Sequence, residues 1–140
     1  MSEEEIQKKY TEFQMLQQQF ASFAENKSMV DQRIAEIMLT IDALQKLEST
    51  TAQSDTLMPL GSGVFVSGTV EDTKMVLVDV GARVYAKKSI ADAVAVLDAR
   101  KQELQQVEQE LQTEMQHITT QAMTVEATLK KMVEESKKDE

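Results

Sequence analysis

Cysteine and tryptophan are absent from this sequence, and it holds one proline, four glycines and one histidine. Without cysteine there is neither a disulfide frame nor a thiolate metal site, and a reducing interior is the expected home. The lone His117 has no cysteine or carboxylate set at ligand spacing and is expected on a helix surface. No Ser, His and Asp set suggests a nucleophile, so no enzyme is expected. The glycine run "GSG" lacks the Lys-Ser/Thr and the following helix of a phosphate-binding loop. Asn26-Lys27-Ser28 matches a glycosylation sequon but falls inside a helical stretch.

Aromatic residues are also few, four Phe and two Tyr, and at 41% apolar content the 140 residues are thin material for a globular core. The apolar residues must therefore be used in a line. Basic residues are outnumbered, 15 against 24 acidic, for a net charge of −9. That balance argues against a nucleic-acid partner, because phosphate binding draws on clustered Lys and Arg. No apolar run approaches the roughly 18 residues a membrane helix needs, and the start "MSEEEIQKKY" lacks the apolar core of a signal peptide. A soluble, cytoplasmic protein with no membrane partner, no cofactor and no metal is expected.

What is present is a long heptad pattern. Steps of three and four from Ile6 reach Lys9, Phe13, Leu16, Phe20, Phe23, Lys27, Val30, Ile34, Ile37, Ile41 and Leu44, all apolar except the two lysines. The same steps from Ile90 reach Val94, Leu97, Lys101, Leu104, Glu108, Leu111, Met115, Ile118, Ala122, Val125, Leu129 and Met132, with Lys101 and Glu108 as the exceptions. Ser2 with Glu5 and Ser89 with Asp92 supply capping patterns at the two starts. Each helix of about 45 residues would run roughly 65 to 70 Å.

Between the helices the pattern changes. "GVFVSGTV", "KMVLVDV" and "RVYA" are rich in Val and bounded by Gly, Asp and Pro, which favours strands and turns. Strands are expected near 57–60, 63–70, 74–80 and 83–86, as two β-hairpins. Glu71, Asp72 and Thr73 are read as the turn of the second pair, with Gly81 breaking the strand that follows. The fold class is α+β: a long antiparallel coiled-coil hairpin (helices in 1–52 and 89–140) joined by two β-hairpins (53–88). Pairing positions that sum to 135 or 134 sets apolar residues opposite one another and Lys27 opposite Glu108. A slide of one heptad would set Lys27 against Lys101, so opposite charges could fix the register.

The hairpins are too small to stand alone. Two strand pairs with two apolar faces leave edges to be paired, and joining sheets from several molecules removes them. Leu60, Val64, Phe65, Val66, Val70, Met75, Val76, Leu77, Val78 and Val80 are the residues expected to make those contacts. Gly61, Gly63, Gly68 and Gly81 would supply bends and close approach, with a plain loop role left open for Gly68.

The stretch "PLGSGVFVSGTVEDTKMVLVDVGARVYAKKS" resembles the central segment of α-type prefoldin subunits, archaeal class. Pro59-Leu60-Gly61 with Gly63, the strands Val64 to Val66 and Val76 to Val80 with Gly81, and Lys87-Lys88 leading into the second helix carry the resemblance. Relatives often have an acidic residue beside that lysine. The resemblance implies a hexamer of two α and four β subunits, in which the hairpins form an intersubunit double β-barrel and the coiled coils project from it. It also implies an ATP-independent chaperone subunit that binds unfolded polypeptides and delivers them to a group II chaperonin.

Tyr10, Phe13, Phe20 and Phe23 all lie in the first 23 residues, at what would be the free end of the coiled coil, far from the sheets. Helix ends without a neighbouring domain fray, which exposes seam residues intermittently. For Ile6, Tyr10, Phe13, Leu16, Leu129, Met132 and Val133 both client contact and coiled-coil core stay open. Phe20, Phe23 and Met115 are read as core. Met15 and Met123 lie off the seam, where adaptable side chains suit a promiscuous surface, and are read as client contacts. The charged run Glu134 to Lys138 is read as solvated tail. The alternative to a chaperone is a scaffold or adaptor, in which the coiled coil is a spacer and the hairpins only oligomerise it. Such a spacer should tolerate polar residues at the free end.

Overall fold

The computed structural model describes residues 3–138. Helix α1 (Glu3–Glu48) is followed by strands β1 (Asp55–Gly61), β2 (Val64–Thr69), β3 (Met75–Gly81) and β4 (Val84–Ser89), and then by helix α2 (Ile90–Lys138). Two compact units result. A terminal unit holds the chain up to Arg33 together with the chain from Leu104 onward, and a central unit is Ile34–Glu103.

The heptad stepping sets which helix residues leave water. Along α1 the residues that are buried or half-buried include Ile6, Lys9, Phe13, Leu16, Phe23, Lys27, Val30, Ile34, Ile37, Ile41 and Leu44. Along α2 they include Ile90, Val94, Leu97, Lys101, Leu104, Glu108, Leu111, Met115, Ile118, Ala122, Val125, Leu129 and Met132. These are the positions reached by alternate steps of three and four, which keep one stripe of a 3.6-residue helix facing its partner. Phe20 is the departure from that series: although on the seam, it is 38% exposed. The deepest points of the terminal unit are Ile118, Val125 and Met132; those of the central unit include Ile34, Ile90 and Ala93.

The acidic first turn of α1, Glu3 to Glu5, complements the positive end of its dipole. Ser2, expected as its cap, lies outside the described residues. The Ser89 hydroxyl accepts the Asp92 amide hydrogen at 3.2 Å, so α2 is capped by the last residue of β4 with no intervening loop. At the other end of α1, Ser49 and Thr50 hydroxyls donate to the Lys46 carbonyl at 2.9 and 2.8 Å, satisfying it after the helix has run out.

The sheets are two separate antiparallel pairs, β1 with β2 and β3 with β4. Their registers are the same pattern displaced by twenty residues: Leu57 faces Ser67 as Leu77 faces Lys87, and Pro59 faces Phe65 as Asp79 faces Tyr85. Each register then shifts just before a glycine, Gly61 or Gly81, that has a φ of 115°. That backbone region suits glycine, since side chains with a Cβ rarely enter it.

The expected turn at Glu71–Thr73 is corrected by this topology. Those residues link the two hairpins, whereas the second hairpin turns at Gly81–Arg83. The link is ordered by Asp72, whose Oδ1 accepts the amides of Lys74 at 2.8 Å and Met75 at 3.1 Å. Those two bonds hold its carboxyl below the usual range. Gly68 is not a loop residue: it lies within β2, and a Cβ there would come 2.6 Å from the flexible end of Met58.

Candidate functional site

Two surfaces carry the residues singled out by the sequence, one in each unit. In the central unit the apolar strand residues are outside. Leu60, Val64, Phe65, Val66, Met75, Leu77 and Val80 are exposed, Val70 and Val76 are half-buried, and Val78 is buried. Val76 and Val78 share a face of the second hairpin with their partners Lys88 and Ala86, which are also partly covered. The opposite face, with Leu77 and Tyr85, is open. Sequence reasoning missed Leu57, Met58, Val84 and Tyr85, all exposed apolar strand residues of the same kind. Alternation in the strand pattern together with the glycine at each turn could have found them.

The terminal unit brings α1 and α2 together side by side. Phe13, Leu16 and Phe20 of α1 and Ile118, Ala122 and Met123 of α2 line one cleft of about 400 Å³. Gln17, Thr119 and Glu126 supply its polar rim. A second cleft of similar volume lies over Met132, walled by Glu5, Lys8, Lys9, Glu12, Thr128 and Lys131. Tyr10, Met15, Met123 and Val133 are exposed, at 47%, 56%, 65% and 37%. Ile6, Phe13, Leu16 and Leu129 are half-buried, while Met132 is buried at 5% and therefore belongs to the core of the lone chain. The unit thus combines adaptable apolar side chains in water with a groove whose floor is the seam itself.

Polar residues interrupt that seam at one level. The Lys27 ammonium lies 3.0 Å from the Asp31 carboxylate one turn along α1, and Glu108 of α2 meets both. A proton shared with Asp31 pushes the Glu108 carboxyl up, helped by partial removal from water and by the Asp31 charge. Asp31 is lowered by its hydrogen bond with Glu108 and then by Lys27; Lys27 is raised chiefly by its hydrogen bond to Asp31. Asp31 accordingly adds stability that is lost as pH falls below its ordinary 3.8. Lys27 adds stability that is lost as pH rises through its raised value, above 10.5. Glu108 acts oppositely to Asp31: the fold favours its protonated form, so stability rises as pH falls through its raised value toward 4.5. Replacing Glu108 with Gln should raise the melting temperature at neutral pH, and the gap to the parent should close as pH is lowered to 4.5. A gap that is constant over this range, in parallel thermal melts, would show that Glu108 holds no such proton.

Among the described residues no group of three or more His, Cys, Asp or Glu could hold a metal ion, and no helix is long and apolar enough to cross a membrane. His117 is exposed on α2.

Paired long helices joined by two antiparallel hairpins are a specific architecture. Residues 16–135 match the family model for the prefoldin subunit. The chain belongs to the prefoldin family. It is 26% identical over 128 residues to prefoldin subunit alpha of Archaeoglobus fulgidus, a match that takes in 91% of this chain and 93% of the relative. Prefoldin subunit alpha of Methanococcus aeolicus is 33% identical over 91 residues, covering 65% and 61%. In fold the chain resembles a filamentous prefoldin from Methanocaldococcus jannaschii, with a TM-score of 0.73 at 19% identity, over 82% of this chain and 95% of that one. As a prefoldin-family chain it is a chaperone subunit, and its family is non-enzymatic.

Proposed function

We propose that this prefoldin-family chain holds unfolded polypeptides, without ATP or catalysis, at the apolar surface of its terminal unit and passes them to a group II chaperonin. Its hairpins, residues 53–88, join those of β-class prefoldin subunits in a barrel, two copies of this chain with four of the partner, in the cytoplasm. The observation that carries the reading is the exposure of Tyr10 and Met15 in the same unit as the apolar cleft lined by Phe13, Leu16, Phe20 and the exposed Met123. Side chains of this kind left in water have no role in a rigid spacer, whereas an unfolded client offers apolar segments of varied shape that methionine can fit. The partly buried Ile6, Phe13, Leu16 and Leu129 form the floor against which such a segment lies. Met132 and Val133 extend it once the last turns fray.

Tyr10, Met15 and Met123 stand outside the seam, so changing them tests binding without disturbing helix pairing. The triple variant Tyr10→Ser, Met15→Ser, Met123→Ser, assembled with its partner subunits, should require at least about threefold more complex to suppress aggregation of a denatured test protein, at unchanged helix content. Each deleted apolar contact forfeits roughly 1 kcal/mol or more of burial. Suppression at the parent's concentration would favour the spacer reading instead.

A further inference from the structure

Charge is missing from one level of the terminal unit. Phe13 to Ala24 of α1 and Met115 to Val125 of α2 hold no Asp, Glu, Lys or Arg, in a chain where those residues make up 28%. Charged residues close both stretches, Glu12 and Glu25 on α1, Glu114 and Glu126 on α2. The two stretches meet at the cleft, where Phe13, Leu16, Gln17 and Phe20 stand against Ile118, Thr119, Ala122 and Met123. His117 is the single ionisable side chain within them, and it is not among the residues that line the cleft.

Helix pairing does not require this. The seam needs apolar residues along one stripe, and the outward positions of a paired helix are ordinarily charged. Here they include Gln14, Gln17, Gln18, Gln19, Gln116 and Gln121, all exposed. The Thr119 and Thr120 hydroxyls donate to the Met115 and Gln116 carbonyls at 2.9 and 3.1 Å, so their hydrogens are spent within α2. That leaves the exposed Gln17 amide, which both donates and accepts, as the neutral polar group at the mouth of the cleft. Glu126, also on the rim, has the Lys130 ammonium 3.8 Å away, so its charge already has a counter-ion.

We infer that Gln17 sets the class of client segment this cleft takes: a short extended run with no charged residue of either sign. The inference rests on the proposed holding of unfolded chains at this unit, and it specifies which part of such a chain is held. A charged side chain entering the cleft would lose water and meet no opposite charge, a cost that apolar and amide groups do not bear. From Phe13 to Phe20 the helix rises about 10 Å, the span of about three residues of extended chain. Charges outside that window are tolerated. The net charge of the whole chain, −9, points elsewhere, since acting alone it would favour basic clients over acidic ones. Rejection of both signs is therefore the distinguishing mark.

The test uses the full chain without partner subunits and end-capped peptides bearing an uncharged dye, followed by fluorescence anisotropy. The first peptide sets one phenylalanine and one leucine among serines. The second and third carry a lysine or an aspartate next to the phenylalanine, and the fourth has its lysine at the far end. The first and fourth should bind alike, and the affinity of the first should change by less than about twofold between low and high salt. The second and third should each bind at least about tenfold more weakly. Gln17→Glu should recover the lysine peptide and weaken the aspartate peptide further, and Gln17→Lys should do the reverse. Because Gln17 is exposed, both variants should keep the parent's helix content. Tighter binding of the second peptide than of the first, equal binding of all four, or affinities that the Gln17 variants leave unchanged would each overturn the inference. In those cases the proposed function stands, because apolar segments are still held. If none of the peptides binds, this inference is overturned, and the proposed function falls with it only if the Tyr10, Met15 and Met123 variant suppresses aggregation as well as the parent.

Discussion

Aspartate in place of Ile118 is expected to unpair the helices of the terminal unit while the two hairpins remain formed. Ile118 is 4% exposed and lines the floor of the cleft between Leu16 and Ala122. Truncating a buried isoleucine to alanine costs about 2 to 5 kcal/mol, from lost transfer energy and the cavity left behind. A carboxylate at the same place has no partner and must also leave water, which raises the cost further. Neighbouring seam layers are thin, because a two-helix coil has no second shell of packing to compensate. Hydrogen exchange of the assembled protein should then show fast exchange across residues 3–33 and 104–138, with protection kept in β1 to β4. Protection retained along both helices would show that the heptad seam is not what holds the terminal unit together.

Dispersed arms are expected to hold a denatured client at least about 100-fold more weakly than the same arms gathered on one body. A single terminal unit offers a few exposed side chains, and in the proposed function each would make only a weak contact with a client. Linking several units makes the second and later contacts intramolecular, and avidity then exceeds single-arm affinity by about 10²- to 10⁴-fold. A chain with both hairpins altered at Leu57, Phe65, Leu77 and Tyr85 keeps the clefts of the terminal unit unchanged, since these residues all lie in the central unit. Compared per arm, such a chain should lose aggregation suppression at concentrations where the assembled complex is fully active. Equal activity per arm would mean that each unit acts singly.

The heptad positions could be read from the sequence because the 3.5-residue period alone determines which face of each helix leaves water. Only Phe20 broke the pattern, and it did so where the cleft opens beside Ile118. The hairpins were legible in kind and less so in extent. Strands expected near 57–60 and 83–86 run to Asp55–Gly61 and Val84–Ser89. Asp55, Lys88 and Ser89 have no strand propensity to announce them; they are extended because Thr69, Val76 and Met75 lie opposite. The break at Gly81 between strands expected at 74–80 and 83–86 was legible, but the turn takes in Arg83 because Ala82 and Arg83 adopt positive φ, which neither residue type signals. The likeness of the hairpins is masked in the sequence for a related reason. Few residues are identical between them, and they match only when the turn glycines Gly61 and Gly81 are aligned. Among the candidate contact residues, heptad spacing could name Met15 and Met123 as lying off the seam, but it could not tell that Met132 is covered.

The central claim is that apolar sheet margins drive this chain into an assembly whose helical ends do the binding. Native mass measurement of the chain mixed with a β-class prefoldin subunit tests it most directly. A complex of two copies of this chain with four of the partner is predicted, lost when Leu57, Phe65, Leu77 and Tyr85 are all changed to Ser. A chain that remains at 15.7 kDa in that mixture would contradict the account.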